Sequence, residues 1–169
     1  MSLGVERGPT PLDGMEHLRA QLARDERGAF TRLFDAGLLG FTPEQISRSD
    51  NRQAGTLRGL HFQAAPHEET KVVQVISGRL WDVAVDLRPG STHGQWHGLE
   101  LGPGEGVRLA PGLAHGFLTL EDETSLLYFM DEAFAPRSAR GYRWDSLGIE
   151  WPCTPTRVSA RDLELPPFA

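Results

Sequence analysis

The sequence predicts an all-β jelly roll of two antiparallel sheets with short peripheral helices. From about Gly55 onward, short segments alternate between apolar and polar residues, which is typical of half-buried strands. Glycine and proline separate these segments at hairpin-length intervals. A chain of 169 residues is long enough for one such fold, so residues 1–169 are expected to form a single domain.

The clearest strand runs from Leu80 to Leu87. Its alternation predicts one face formed by Trp81, Val83, Val85 and Leu87 and another formed by Asp82, Ala84 and Asp86. Further strands are predicted in the segments LRGLHFQ, KVVQVIS, QWHGLEL, GVRLAP, GFLTL and SLLYFM. Turns are expected between them at Ser77-Gly78, Arg88-Pro89-Gly90, Gly102-Pro103-Gly104 and Pro111-Gly112.

Two short helices are predicted near the ends of the chain. One begins at Pro43-Glu44-Gln45, and the other begins at Ser159, where Ser159-x-x-Asp162 reads as a capping box. Both predictions rest on local signals alone.

Composition excludes several classes of protein. The net charge is -6 and the basic residues are scattered, so a nucleic-acid partner is not expected. Apolar runs are too short for a membrane span, and the N-terminus lacks the pattern of a signal peptide, so we expect a cytoplasmic protein with no membrane partner. Cys153 is the only cysteine, which excludes internal disulfides.

Five polar residues lie in or beside apolar segments, where each is costly unless it is paired or used. They are Arg58, His61, Lys71, His115 and Tyr128. In an ideal strand Arg58 and His61 would point to opposite faces, but Gly59 permits a bulge that brings both to one side. Spacing alone leaves both possibilities open.

A metal-binding cupin is one interpretation, with His61 and His115 as ligands. Gln63 occupies the place of the usual second histidine, however, and Lys71 occupies the place of the usual glutamate. An ammonium there repels a cation, and His67 or Glu69 would not replace these ligands at the expected spacing. We therefore expect no metal.

Without a metal, the same groups suit proton transfer beside a carbonyl. A neutral histidine can remove a carbon-bound proton, a cation can stabilise the enolate, and a tyrosine can return a proton. Tyr128 is the candidate acid, because Tyr142, the other tyrosine, is expected in an exposed turn.

Five motifs carry a resemblance to a known family. They are DERGAF from Asp25, GTLRGLHFQ from Gly55, DVAVDLRPGS from Asp82, APGLAHGFLTL from Ala110 and RGYRWDSLGIEWP from Arg140. Together they resemble the dTDP-4-dehydrorhamnose 3,5-epimerase family. The resemblance runs from about Asp25 to Asp162 and implies a cupin-like double-stranded β-helix.

This resemblance implies a homodimer that inverts C3 and C5 of a nucleoside-diphosphate 4-keto-6-deoxyhexose without a metal or an organic cofactor. Residues 1–24 would form an N-terminal arm that could be exchanged between subunits. The implied catalytic residues are the base His61, its partner Asp162, the acid Tyr128 and the cation Lys71. The implied substrate-binding residues are Arg27, Arg58, His115, Gln45 and Phe134, with Arg27 reaching the diphosphate across the dimer interface.

Several alternatives stay open at this point. Asp162 is either the partner of His61 or a helix cap. Ala29, Arg32 and Phe134 depart from the family pattern and leave the nucleotide undetermined. The chain could invert only C3, or be a ketoisomerase-like relative on another nucleotide sugar. Candidates of another class are a metal-dependent cupin enzyme and a non-catalytic sugar-binding module.

Overall fold

A computed structural model describes residues 4–169, which form two facing six-stranded sheets and a separate hairpin. The first sheet contains, in spatial order, β1 (Val5–Pro9), β2 (Met15–Ala20), β10 (Glu105–Leu109), β7 (Lys71–Ser77), β12 (Thr124–Met130) and β5 (Gln45–Asn51). The second contains β13 (Ala139–Gly141), β6 (Thr56–Gln63), β11 (Leu113–Thr119), β8 (Leu80–Asp86) and β9 (Trp96–Leu101), with β14 (Arg157–Val158) beside β6. The predicted all-β jelly roll is confirmed.

Most of the remaining chain connects or covers these sheets. The hairpin consists of β3 (Leu22–Asp25) and β4 (Gly28–Thr31), and the helices are α1 (Ala36–Leu39) and α2 (Ala160–Leu163). No helix within residues 4–169 is long and apolar enough to cross a membrane.

The main core lies between the two sheets. Val73 and Val75 of β7 face Ala84 of β8 and Phe117 of β11 in one buried cluster. Val83 and Val85 point the other way and pack in a cluster with Ile149, as the alternation from Leu80 to Leu87 predicts. Burial of both faces explains why several strands read as nearly continuous apolar runs.

The outer face of the first sheet is covered by the segment around α1. Leu39, Phe34 and Phe41 pack against Val72 and Phe129. Phe34 stacks on Phe129 with ring centroids 4.8 Å apart. This layer fixes β7 and β12, the two strands of the first sheet that carry Lys71 and Tyr128.

The helix predicted at Pro43-Glu44-Gln45 is wrong, because Gln45 begins strand β5. Gln45 pairs with Met130, and β5 continues antiparallel to β12 up to Asn51. The strand hydrogen bonds between β5 and β12 therefore override the helix signal of the local sequence at Pro43. The predicted helix after Ser159 is confirmed as α2, where the Ser159 hydroxyl accepts a hydrogen bond from the Asp162 amide at 3.1 Å.

Strands before Gly55 were not predicted from the sequence. Within the described part of the N-terminal arm, β1 and β2 pair with each other, and β2 continues into the chain's own sheet through β10. The hairpin of β3 and β4 leaves Leu22 and Phe30 exposed. Exchange of the arm between subunits stays a prediction.

Candidate active site

A polar cleft opens between the two sheets. Its wide part has a volume of about 450 Å³ and is lined by Arg48, Ser49, Asp50, Arg58, His61, Tyr128, Ser159, Arg161 and Asp162. Its narrow part has a volume of about 200 Å³ and is lined by Gln45, His61, Phe62, Gln63, Glu69, Lys71, Tyr128, Met130, Phe134, Ala139, Arg140 and Arg161. His61, Tyr128 and Arg161 border both parts, so the two parts adjoin at these residues.

A bulge in β6 brings Arg58 and His61 to the same cleft. His61 is opposite His115 and Arg58 is opposite Phe117, so β6 contains one extra residue between the two pairs. Gly59 makes this possible with a φ of 123°, and a Cβ there would lie 2.6 Å from the Gly116 Cα. The sequence left the bulge open, and the structure contains it.

His61 and Asp162 form a close pair. His61 Nε2 lies 2.7 Å from Asp162 Oδ1, and the carboxylate side chain is only 5% exposed whereas the imidazole is 37% exposed. Asp162 Oδ2 also accepts a hydrogen bond from the Gly59 amide at 3.3 Å. The aspartate side chain is therefore directed to β6 and not to the N-terminus of its own helix.

The Asp162 carboxylate is ionised in this setting. Burial would raise its pKa, but the hydrogen bond and charge of His61, the Gly59 amide and Arg161 together hold the pKa below its ordinary value. An ionised carboxylate only accepts, so the His61 Nε2 atom carries the hydrogen. In the neutral ring, Nδ1 then has a lone pair, and no group within residues 4–169 forms a hydrogen bond with it.

Tyr128 faces His61 from the opposite wall. It lies on β12 of the first sheet, where Leu126 on the same face is buried in the main core. Desolvation, assisted by the negative charge of Asp82 and opposed by Arg58, raises the pKa of the phenol well above its ordinary value. Tyr128 therefore remains a proton-bearing group over the whole neutral range.

His115 is buried behind this wall. Its Nε2 atom lies 2.8 Å from Asp82 Oδ2, and both side chains are almost fully enclosed. Its ring meets the Tyr128 ring edge to face, with centroids 6.2 Å apart. His115 contacts the tyrosine but is absent from the residues that line the cleft.

Lys71 enters the narrow part from the first position of β7. The core residues Val73 and Val75 lie on the same face, so the alternation of the strand directs Lys71 inward. Its Nζ atom lies 3.0 Å from Glu69 Oε1. Arg58 lines the wide part, where its Nε atom donates to Asn51 Oδ1 at 2.8 Å.

Gln45 and Phe134 lie together at the mouth of the narrow part. Gln45 Oε1 accepts a hydrogen bond from the Phe134 backbone amide at 3.2 Å. The Phe134 ring is exposed. Arg27 is not in the cleft. It lies in the turn of the hairpin, pairs with Asp25 at 2.6 Å, and its side chain is 85% exposed.

The residues expected at a cupin metal site have other partners here. His61 and His115 each bind a carboxylate, and no group of three or more potential metal ligands occurs within residues 4–169. Gln63 holds loops together, since its amide accepts from the Ala135 amide at 2.7 Å and donates to the His67 carbonyl at 3.1 Å.

The sequence analysis gave no role in the epimerase site to Arg161 and Glu69, which line the cleft, or to Asp82, which pairs with His115 behind it. Asp82 carried a signal, since it shares the inward face of the clearest strand with Ala84. Tyr142 was placed wrongly, because it follows β13 and stacks on Phe62 with ring centroids 5.7 Å apart. It is therefore part of a packed layer and not an exposed turn.

A jelly roll whose cleft holds a carboxylate-paired imidazole, a phenol and several cations has the equipment of an isomerase that moves protons on an anionic substrate. The family model described as dTDP-4-dehydrorhamnose 3,5-epimerase matches residues 9–169. The chain belongs to this family, and the predictions of the family and of an epimerase are confirmed.

Individual relatives agree with this assignment. A dTDP-4-dehydrorhamnose 3,5-epimerase of Sinorhizobium fredii is 38% identical over 165 residues, covering 88% of this chain and 82% of the relative. The crystal structure of the Bacillus anthracis epimerase with TDP and pyrophosphate bound is 34% identical, with a TM-score of 0.92 over 98% of this chain and 100% of that one. A 3'-monoepimerase from Streptomyces bikiniensis, in complex with dTDP-quinovose, is 26% identical, with a TM-score of 0.87 over 95% and 86% of the two chains.

Proposed function

We propose that this protein inverts C3 and C5 of dTDP-4-dehydro-6-deoxyglucose to give the 4-dehydrorhamnose product. The observation that carries the proposal is the His61–Asp162 pair, at 2.7 Å, in the same cleft as Tyr128. Family membership supports the substrate class, a nucleotide sugar.

His61 is the proposed base. Asp162 accepts the hydrogen of Nε2, so the free lone pair on Nδ1 takes the proton from the carbon beside the ketone. Asp162 also stabilises the imidazolium that results. The C–H bond breaks, its electrons move to the C4 oxygen, and an enolate forms.

Two further groups complete the reaction. The Lys71 ammonium is the proposed partner of the C4 oxygen, where it offsets the negative charge of the enolate. Tyr128 is the proposed acid: its phenol proton goes to the carbon as the C4 carbonyl re-forms, and the resulting phenolate regains a proton from solvent. His61 lies on the second sheet and Tyr128 on the first, so a sugar ring between them would lose a proton on one side and gain one on the other, which is an inversion.

The remaining cleft residues are proposed to bind the nucleotide. Arg58, with Arg161 nearby, suits the diphosphate. Phe134 presents an exposed ring for stacking on a base, and Gln45 fixes the backbone beside it. His115 is proposed to support Tyr128 from behind.

We further propose that residues 1–169 form one domain and that the protein acts as a cytoplasmic homodimer. The separate, exposed position of Arg27 supports a role in a partner's site, because its own cleft does not include it. The exposed Leu22 and Phe30 of the same hairpin would be covered in such a dimer.

Turnover of dTDP-4-dehydro-6-deoxyglucose, measured with and without a chelator, tests the reaction class. We expect equal rates, because the proposed chemistry uses side chains alone. Activity that disappears with chelator would favour a metal-dependent enzyme, and binding without turnover would favour a sugar-binding module.

A further inference from the structure

Lys71 is an unusual residue in this chain. Sixteen of the 17 residues counted as lysine or arginine are arginines, and Lys71 is the sole lysine of the sequence. It is also largely buried, with its side chain 14% exposed. A compact ammonium can be directed at a single oxygen, whereas a planar guanidinium presents several donors in a fixed fork.

Glu69 is equally unexpected where it lies. Among the described residues, 4–169, it is the only carboxylate that lines the narrow part of the cleft. Its side chain is 10% exposed. Arg140 and Arg161 line the same part. A carboxylate here would repel a diphosphate substrate and would be costly to bury alone. Direct binding of an anionic substrate therefore does not explain it.

The contact with Lys71 does explain it. Glu69 Oε1 lies 3.0 Å from Lys71 Nζ, and Glu69 Oε2 accepts a hydrogen bond from Gln63 Nε2 at 3.2 Å. Gln63 is buried and is itself fixed, because its Oε1 atom accepts a hydrogen bond from the Ala135 amide at 2.7 Å. The carboxylate is therefore held from behind while its other oxygen holds the ammonium.

We propose that Glu69 is a positioning residue for the reaction. It acts through Lys71, keeping the ammonium directed at the C4 oxygen of the sugar, and Gln63 fixes Glu69 in turn. The inference rests on the proposed function, since Lys71 acts on an enolate only if the protein is an epimerase. Misplacement of a catalytic group by about 1 Å can cost two orders of magnitude in rate.

The substitution Glu69→Gln tests this role, because it keeps the size of the side chain and removes its charge. We expect kcat to fall by about tenfold or more with KM changed much less, since the contact matters when charge develops on the C4 oxygen. Glu68→Gln, the same change at the exposed neighbouring residue, should leave both constants unchanged. Glu69→Asp retains the charge and should recover part of the lost rate.

A second readout does not depend on turnover. Protein labelled with ¹⁵N-lysine has one side-chain ammonium resonance, because there is one lysine, and an ion pair slows the exchange of its protons with water. We expect this signal in the wild type and in Glu68→Gln and expect it to be lost in Glu69→Gln. An unchanged signal together with an unchanged kcat in Glu69→Gln would overturn the inference. A fall in kcat accompanied by a rise in KM of the same factor would also overturn it.

Failure of the proposed function would be recognised separately. Wild-type protein that binds the nucleotide sugar without turnover, while its ammonium signal still depends on Glu69, would end the epimerase proposal. The catalytic role of Glu69 would then fall with it, and only the ion pair would remain.

Discussion

His61 Nε2 lies 2.7 Å from Asp162 Oδ1, although 101 residues separate the two in the sequence. Strand β6 supplies the imidazole and helix α2 supplies the carboxylate. Because Asp162 also accepts a hydrogen bond from the Gly59 amide, it links the bulge of β6 to the His61 imidazole. The pair therefore sets both the tautomer of His61 and its position in the cleft.

Removal of the proposed base, His61, should abolish turnover. We expect His61→Ala to retain the fold and the affinity for dTDP, because the residues proposed to bind the nucleotide do not include His61. Calorimetric titration with dTDP and a turnover assay on the same sample check this prediction. Wild-type activity in the variant would end the assignment of His61 as the base.

Asp162→Asn should lower kcat by about a thousandfold or more, because an amide no longer fixes the hydrogen on Nε2 of His61. Ser159→Ala is the matched control for a purely structural role in α2. It removes the N-cap and should cost about 1 kcal/mol in the free energy of unfolding with a far smaller effect on kcat. Equal rate losses in the two variants would support the helix-cap interpretation instead.

Tyr128→Phe should separate proton removal from inversion. The variant retains His61, so solvent deuterium should still enter the substrate, but inverted product should form about a hundredfold more slowly or worse. Proton NMR in heavy water measures both processes in one sample. Inversion at the wild-type rate would exclude Tyr128 as the acid.

The raised pKa of Tyr128 can be measured directly. Burial is its main cause, and the charge of Asp82 adds to it. The absorbance of the wild type minus that of Tyr128→Phe isolates the Tyr128 phenolate. This phenolate should therefore develop only above pH 10, beyond the ordinary range of tyrosine. Ionisation below pH 10 would show that the phenol is more accessible to water than the structure indicates.

The ion pair between Asp86 and Arg88 should make the free energy of unfolding depend on pH in the acid range. Asp86 is fully enclosed and binds Arg88 through both oxygens, at 2.9 and 2.7 Å. The Arg88 side chain lowers the pKa of Asp86, with burial opposing it. Its stabilisation is therefore present above about pH 4, the ordinary aspartate pKa, and is lost as the pH falls through the lower folded-state value.

Asp86→Asn should accordingly reduce the free energy of unfolding by about 3 kcal/mol at pH 7, and the gap to the wild type should narrow below pH 4. Urea unfolding of both proteins at several pH values measures this difference in the free energy of unfolding. Asp145→Asn breaks an exposed pair with Arg143 and should cost less than about 1 kcal/mol. A gap that stays constant with pH would contradict the linkage.

The proposed contribution of Arg27 to a partner's site predicts complementation. Arg27→Ala and His61→Ala should each be nearly inactive alone. When they are co-expressed in equal amounts, about a quarter of all sites would combine an intact His61 with an intact Arg27 from the partner. Activity near that fraction supports shared sites, and no recovery contradicts them.

Several residues of the proposed site were predictable from the sequence because they interrupt apolar strands. Arg58, His61, Lys71 and Tyr128 each stand out against their neighbours, and the structure gathers them in one cleft. Glu69 and Arg161 do not stand out, because they lie in polar segments whose position depends on strand pairing. The choice between the two interpretations of Asp162 likewise required a contact over 101 residues.

The fold was likewise predictable in part, for the buried strands but not for the exposed hairpin or for β5. After Gly55, alternation and turn glycines indicated the strands well, whereas all four residues of Leu22–Asp25 are exposed and carry no alternation. At Pro43, a helix-start signal was overridden by pairing of β5 with β12. Local patterns predict buried strands, and tertiary pairing decides edge strands and hairpins.

The most direct test is proton NMR of dTDP-4-dehydro-6-deoxyglucose incubated with the protein in heavy water. We expect the signals at both C3 and C5 to disappear as deuterium enters, and we expect neither signal to disappear with His61→Ala. Loss at C3 alone would make the protein a 3-epimerase. No exchange at either carbon, with the substrate bound, would contradict the central claim that His61 removes protons beside the ketone.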